Sequence, residues 1–386
     1  MNQPSRFSSD EFEILQVVWE DGERIFCRGL RASADRNHSA VLVVVPAEPA
    51  TPATLDRFAH EYGLRDELDG AWAVRPLGLV RERGRTMLVL EDHDGEPLER
   101  LLGVPFQVGH FLHLAITIAA ALGKLHRHGL IHKDIKPANI LVNHTTGAVK
   151  LTGFGIASRL PRERQAPAPP EFIAGTLAYM APEQTGRMNR SVDSRSDLYA
   201  LGVSLYQMLT GALPFSASDP MEWVHCHIAR QPVSPSERSE NVPAPLSAII
   251  MKLLAKTPEE RYQTAVGVEG DLRRCLADWD HQGRIENFPL GRNDVPDRLL
   301  IPEKLYGRAR EVETLLASFD RIVKSGAPEL VLVSGYSGIG KSSVVNELHK
   351  LLVPPRGLFA SGKFDQYKRD IPYSTHRHSK VSFDLF

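Results

Sequence analysis

Short apolar runs separated by turn residues dominate the first ninety or so positions, and longer helical stripes dominate the next two hundred. The segment from Ile14 to Arg28 reads as a hairpin around Gly22, Val41-Leu42-Val43-Val44-Val45 as an apolar strand closed by Pro46, and Thr86 to Leu90 as another strand. Farther on, Phe111, Leu114, Ala115, Ile118, Leu122 and Leu125 share one face of a predicted helix over 111–125. Its end is marked by His126-Arg127-His128-Gly129, cations and a glycine suited to a helix C-terminus. Leu198, Leu201, Leu205, Met208 and Leu209 recur at helical spacing, with Gly211 where a left-handed cap belongs, so this stripe is core. Near the C-terminus Leu330-Val331-Leu332-Val333-Ser334 suits a buried strand, and Ser342 to Leu352 the helix after it.

The most informative stretch is Leu130-Ile131-His132-Lys133-Asp134-Ile135-Lys136-Pro137-Ala138-Asn139-Ile140-Leu141-Val142. It sets a carboxylate, an ammonium and a carboxamide at fixed offsets between two apolar segments. In phosphoryl transfer, Asp134 would orient the attacking hydroxyl and accept its proton, Lys136 would neutralise charge on the moving phosphoryl, and Asn139 would hold magnesium. The bland alternative is a polar turn between helix and strand. With this string the chain resembles the serine/threonine protein kinase superfamily, and further landmarks follow in order. Gly175-Thr176-Leu177-Ala178-Tyr179-Met180-Ala181-Pro182-Glu183 is similar to the end of that family's activation segment, where Glu183 would pair with a late arginine, here Arg261, in a structural role. Ser196-Asp197-Leu198-Tyr199-Ala200-Leu201-Gly202 is similar to the start of the central large-lobe helix, Asp197 bracing the catalytic loop through its backbone.

The resemblance breaks at the parts that hold nucleotide. Where the family has Asp-Phe-Gly, this chain has Gly153-Phe154-Gly155, without the metal-binding carboxylate. Aligned on Pro46, the position of the family's phosphate-binding lysine is Val43, and the hairpin offers Gly22 where a glycine-rich loop needs several glycines. Glu61 matches the small-lobe helix glutamate, or is an exposed helical residue. Two readings follow. The chain is a weak or atypical serine/threonine kinase using ATP and magnesium, with Arg24, Arg28 or Lys150 standing in for the lost lysine, or it is a pseudokinase that serves a partner or a neighbouring module. Loss of one preorganised electrostatic contact costs ~3 kcal/mol of transition-state stabilisation, so two losses argue against a fast enzyme. An inert scaffold, however, has no chemical need for Asp134, Lys136 and Asn139 together.

Gly335-Tyr336-Ser337-Gly338-Ile339-Gly340-Lys341-Ser342 is a second phosphate-binding signal and fits the P-loop pattern at every required position. Gly335, Gly338 and Gly340 let backbone N–H groups face phosphates, Lys341 reaches the outer phosphates, and Ser342 ligates magnesium. The bland alternative is a glycine-rich turn. Leu305-Tyr306-Gly307-Arg308-Ala309-Arg310-Glu311, followed by Leu315, Leu316 and Phe319, resembles the entry to AAA-like signalling NTPases. The whole order, with Met180 to Arg190 as a further carrier, resembles the N-terminal region of bacterial multidomain serine/threonine kinase, ATPase and sensor histidine kinase proteins. On that resemblance the chain is expected to be a fragment. Few residues follow the P-loop, no apolar strand ending in Asp completes a magnesium site, and His376 to Phe386 lacks a periodicity that continues the domain, as an interrupted or frameshifted reading frame would.

Composition changes this picture little. The 386 residues carry 46 basic and 47 acidic side chains, which gives no electrostatic reason to expect nucleic acid as a partner. Cys27, Cys226 and Cys275 are odd in number and widely spaced, so a reducing cytoplasm is expected rather than a disulfide framework. In His225-Cys226-His227, adjacent helical residues do not share a face, and packing is expected rather than metal ligation. No run approaches the ~18 apolar residues of a membrane span. Glu91 to Pro97 reads as a hinge for adenine, Pro161 to Pro170 as a mobile part of the activation segment or equally an ordinary exposed loop, and Thr176 as a phosphorylation candidate without selective support. The expected fold is α+β: a bilobal kinase-like small lobe over 7–92 and helical large lobe over 93–280, a linker over 281–301, and an incomplete α/β P-loop NTPase module over 302–386. Nucleotide and a protein substrate or signalling partner are the expected ligands.

Overall fold

The structure is a computed structural model that describes residues 12–32, 38–47, 50–82, 84–159, 175–188, 190–296, 307–336 and 339–346. Five strands open the chain: β1 (Phe12–Glu20), β2 (Arg24–Ala32), β3 (His38–Pro46), β4 (Pro76–Glu82) and β5 (Arg85–Glu91). They form an antiparallel sheet in the order β1-β2-β3-β5-β4. Because side chains alternate across a strand, β3 is apolar on both faces. Val41, Val43 and Val45 join Phe12, Ile14, Ile25, Cys27, Met87 and Val89 on one face, while Leu42 and Val44 join Phe26, Leu88, Leu90 and Phe58 on the other. Phe58 belongs to α1 (Pro52–Gly63), which starts at the N-cap Thr51 with Pro52 in its first turn.

The second lobe is helical, and this antiparallel-sheet lobe with a helical partner is the expected α+β architecture. Helix α2 (Val108–Arg127) is apolar nearly all round and buried along most of its length, packing chiefly against α7 (Ala265–Gln282). Helix α3 (Ser194–Thr210) begins at the N-cap Asp193 and ends at Gly211, whose φ of 73° is the left-handed conformation anticipated there. Helices α4 (Pro220–Ile228), α5 (Pro235–Arg238) and α6 (Ala244–Leu253) complete the lobe. By length and composition α2 could cross a membrane; here it is the core of this lobe. A small sheet joins β6 (Glu96–Pro97), which precedes α2, to β7 (Ile140–Val142) and β8 (Val149–Leu151), which follow it. The expected hinge thus ends in the short strand β6. Residues 130–139 enter between α2 and β7, so a core helix and a sheet fix both ends of that loop.

Beyond the large lobe lie α8 (Ala309–Ser325) and α9 (Lys341–Asn346). The expected buried strand at Leu330–Ser334 is not one: the segment is irregular, and Leu330 and Leu332 are 85% and 83% exposed. A strand needs a neighbour to pair its backbone groups, and none lies beside this one among the described residues. The expected continuation of α9 to Leu352, together with Pro161 to Pro170, Ser337, Gly338 and His376 to Phe386, lies outside the described residues.

Candidate active site

Asp197 sits in the first turn of α3, and its carboxylate accepts the backbone N–H of His132 at 2.9 Å and of Lys133 at 2.8 Å. His126 at the end of α2 lies 3.0 Å from the same carboxylate. Burial works against the Asp197 charge, but the contact with His126 and the field of His132 outweigh it and hold its pKa below the usual carboxylate range. With both amides clamped, Lys133 adopts φ 67°, a strained left-handed conformation for a non-glycine residue. His132 is buried, with Nε2 on the Thr152 carbonyl at 2.9 Å, and burial lowers its pKa.

This clamp delivers Asp134, Lys136 and Asn139 to one place. Asp134 Oδ1 accepts the Thr176 hydroxyl at 3.2 Å and the Thr176 N–H at 3.1 Å, and Lys136 Nζ donates to the same hydroxyl at 2.7 Å. Asn139 Nδ2 donates to the Asp134 carbonyl at 2.8 Å and to Asp134 Oδ2 at 3.0 Å. Thr176, considered in the sequence only as a phosphorylation candidate, is therefore the hydroxyl around which the loop is organised. Its position one residue after Gly175, whose φ is 110°, was the available signal. Glu183 and Arg261 form a buried bidentate pair at 2.7 and 2.9 Å, with Ser196 Oγ donating to Glu183 at 2.7 Å. Arg261 also donates to the carbonyls of Ala255, Arg195 and Lys256, which ties the activation-segment end to the lobe's last helices.

The small-lobe side corrects the expectation at β3 and decides between the alternatives at Glu61 and among the candidate cations. Val43 faces the apolar cluster away from α1, whereas its neighbours Leu42 and Val44 both lie on the α1 face. The position matched on Pro46 therefore falls on the wrong side of the sheet, because a shift of one residue reverses the face of a strand. Glu61 is 3% exposed rather than an open helical residue, and it accepts the Gly153 N–H at 3.0 Å. Burial raises its pKa, opposed by Arg24 and by the amides of Gly153 and Phe154. Of the three candidate cations, Arg24 reaches the site: Nη2 lies 2.8 Å from Asn139 Oδ1 and 2.5 Å from Asp21 Oδ2. Arg28 instead pairs with Asp92 and Asp94 near the hinge, and Lys150 lies beside His93, whose pKa is pushed down to about 4 by burial and then by Lys150.

Phe154 is fully buried between His132 and Trp72, with ring centroids 4.7 and 6.1 Å away. Gly153 has φ 80°, and Asn139 Oδ1 lies 2.5 Å from where a Cβ would stand. Gly155 is equally tight, since a Cβ there would meet that of Arg57 at 2.7 Å. For magnesium the donor set does not fit. Gly153 offers no carboxylate, Asn139 Oδ1 already accepts from Arg24, and no cluster of three His, Cys, Asp or Glu suited to a metal occurs among the described residues. His227, from the His225-Cys226-His227 run, packs against Tyr199, Phe215 and Trp223, and burial pushes its pKa down to about 3.

In the P-loop segment Gly335 and Gly340 have φ 152° and 92°, and Lys341 Nζ donates to the carbonyls of Gly335 and Tyr336 at 2.8 Å each. The lysine is folded onto its own loop. Gly338 lies outside the described residues, and so does the side chain of Ser342.

A family model for the protein kinase domain matches residues 30–269, and one for an AAA ATPase domain matches residues 304–385. Serine/threonine-protein kinase PknB of Mycobacterium tuberculosis is 38% identical over 210 residues, covering 54% of this chain and 32% of that protein. Probable serine/threonine-protein kinase CPE1738 of Clostridium perfringens is 32% identical over 273 residues, covering 70% of this chain and 39% of its own length. Hybrid signal transduction histidine kinase G of Dictyostelium discoideum is 30% identical over 354 residues, covering 69% of this chain and 10% of its own. The chain thus spans well under half the length of each of these relatives.

Proposed function

Since the chain belongs to the protein kinase domain family and continues into an AAA-type ATPase region, we propose that its kinase domain binds ATP and transfers the γ-phosphoryl slowly to serine or threonine hydroxyls. The observation that carries this is the convergence of Asp134 Oδ1 and Lys136 Nζ on the single hydroxyl of Thr176. A substrate hydroxyl in that position would give its proton to Asp134 as its oxygen bonds to the γ-phosphorus and the bond from that phosphorus to the ADP oxygen breaks. Lys136 would offset charge on the phosphoryl in flight. Slowness follows from the other side of the cleft, where the α1 face of β3 carries Leu42 and Val44 rather than an ammonium and Gly153 supplies no carboxylate.

A second reading, a pseudokinase that regulates the adjoining ATPase region or further signalling domains, is favoured by the Arg24 contact to Asn139. The ATPase region would bind nucleotide through Gly335, Gly340 and Lys341, in a protein acting in the cytoplasm. The deciding experiment measures transfer of labelled phosphate from ATP to the chain itself or to a generic basic substrate, in a Lys341→Ala background that silences the P-loop. Incorporation falling by roughly 10²–10⁴-fold in Asp134→Ala, the usual worth of a positioned base, supports the kinase. Equal traces in both proteins across magnesium and manganese concentrations support the pseudokinase.

A further inference from the structure

Arg24 carries a guanidinium from the small lobe into the cleft and onto Asn139. It leaves β2 on the same face as Phe26, stands 5.1 Å from that ring's centroid, and is 12% exposed in its side chain. Asp21 orients it, accepting from Nε at 2.8 Å and from Nη2 at 2.5 Å, and is itself fixed by the N–H groups of Glu23 and Arg24. From there Nη2 caps Asn139 Oδ1, and the carboxylates of Glu61 and Asp134 act on the same charge. Burial alone would lower its pKa; these carboxylates, Asp21 first, outweigh that and raise it. A carboxamide has a single oxygen, and the Asn139 Nδ2 is held by Asp134, which fixes the orientation of that oxygen. The acceptor that a divalent ion would use is thus engaged by a permanently charged group of the protein. Arg24, Lys136 and Thr176 line one cleft, with Arg57 at its edge.

Resting on the reading that nucleotide enters this cleft, we propose that Arg24 is the site's resident cation, and that Arg24 and Lys136 hold the terminal phosphates of a nucleoside triphosphate without a divalent ion. A guanidinium cannot be deprotonated at physiological pH and presents N–H groups in a planar fork that matches phosphate oxygens. Magnesium would have to displace it from Asn139 and then find no carboxylate at Gly153.

The test is ATP binding by calorimetry to the full chain carrying Lys341→Ala, in excess EDTA and again in magnesium. Equal affinity in the two conditions is expected, with a loss of about tenfold or more in Arg24→Gln, the worth of one charge-assisted hydrogen bond. Arg24→Lys, which keeps the charge and loses the fork, should fall between. Thermal unfolding of each variant shows that it is folded, and Arg24→Lys carries the test if Arg24→Gln is not. Binding that requires magnesium, or that is indifferent to both Arg24 variants, overturns the proposal and leaves the nucleotide reading standing. Absence of binding in both conditions overturns both.

Discussion

On the large-lobe side of the cleft, Asp134, Lys136 and Asn139 are bonded to one another and to Thr176, and Asp197 clamps their loop through two backbone amides. Across the cleft the same space is lined by Arg24, Arg57 and Glu61 of the small lobe and by Gly153, which brings no side chain. The Asp197 clamp and the Glu183–Arg261 pair explain why the loop keeps its shape. They do not explain why it ends in a carboxylate and an ammonium aimed at one hydroxyl. One side of the cleft presents a carboxylate and an ammonium that converge on a hydroxyl, while the other presents a guanidinium that caps Asn139.

The largest effect that would break this comparison comes from placing a lysine on β3. Val43 is fully buried among Ile25, Cys27, Met87 and Val89 in an apolar cluster, so Val43→Lys puts an ammonium into apolar surroundings. Roughly 4 kcal/mol or more of stability should be lost, corresponding to a pKa depression of three units or beyond. Val44 packs against Phe58, one helical turn before Glu61 on α1, so Val44→Lys points at a buried carboxylate and should cost no more than about 2 kcal/mol. Urea unfolding of the two variants measures both numbers. Equal losses would show that the two faces of β3 are not distinguished as described.

The same strand shows what the sequence could and could not reveal. Lobes, helices and the Asp134 loop were legible because apolar periodicity and turn residues are local signals, and the Glu183–Arg261 and Asp197 contacts followed from the resemblance. The register of β3 was not legible, since a run of five apolar residues has no polar position to mark its faces. Nor was the cation that reaches Asn139, because Arg24 is distant from it in sequence and the choice among three cations depends on the path of a hairpin. The strand at Leu330–Ser334 was misjudged for a different reason: apolar composition signals burial only where a second strand or helix covers it.

Acid sharpens the comparison next, because neutral histidines stand both near the hinge and in the large-lobe core. His93 near the hinge, with pKa about 4, and His227 in the large lobe, at about 3, stay neutral in the fold, whereas the unfolded side chains protonate near 6.5. Below that pH the unfolded state binds more protons, so stability falls as pH falls, by about 1.4 kcal/mol per unit for each histidine until its folded pKa is reached. Asp197 acts in the same direction only at the acid end, since its depressed pKa gives stability that is lost as pH drops below the ordinary carboxylate range. Urea midpoints at pH 7, 6 and 5 should decline accordingly, and His227→Gln should flatten the slope by one proton. An unchanged slope would remove His227 from the account.

The smallest effect is also the closest probe of the junction between the two sides. Gly153→Asp returns a carboxylate to its missing place, and the backbone tolerates it, because Asp accepts left-handed φ at a cost of about 1 kcal/mol. The obstacle is Asn139, whose Oδ1 lies 2.5 Å from the new Cβ and is held by Arg24, while its Nδ2 is held by Asp134. To admit the new side chain the carboxamide must turn and give up at least the Arg24 bond, so the total loss should reach about 1–2 kcal/mol. In an Arg24→Gln background that bond is already weakened, and the same substitution should cost less. A double-mutant cycle in urea should therefore return a coupling of about 0.5 kcal/mol or more between two residues far apart in the chain. Strict additivity would mean that Arg24 does not hold Asn139 in place, and the two sides of the cleft would then be independent.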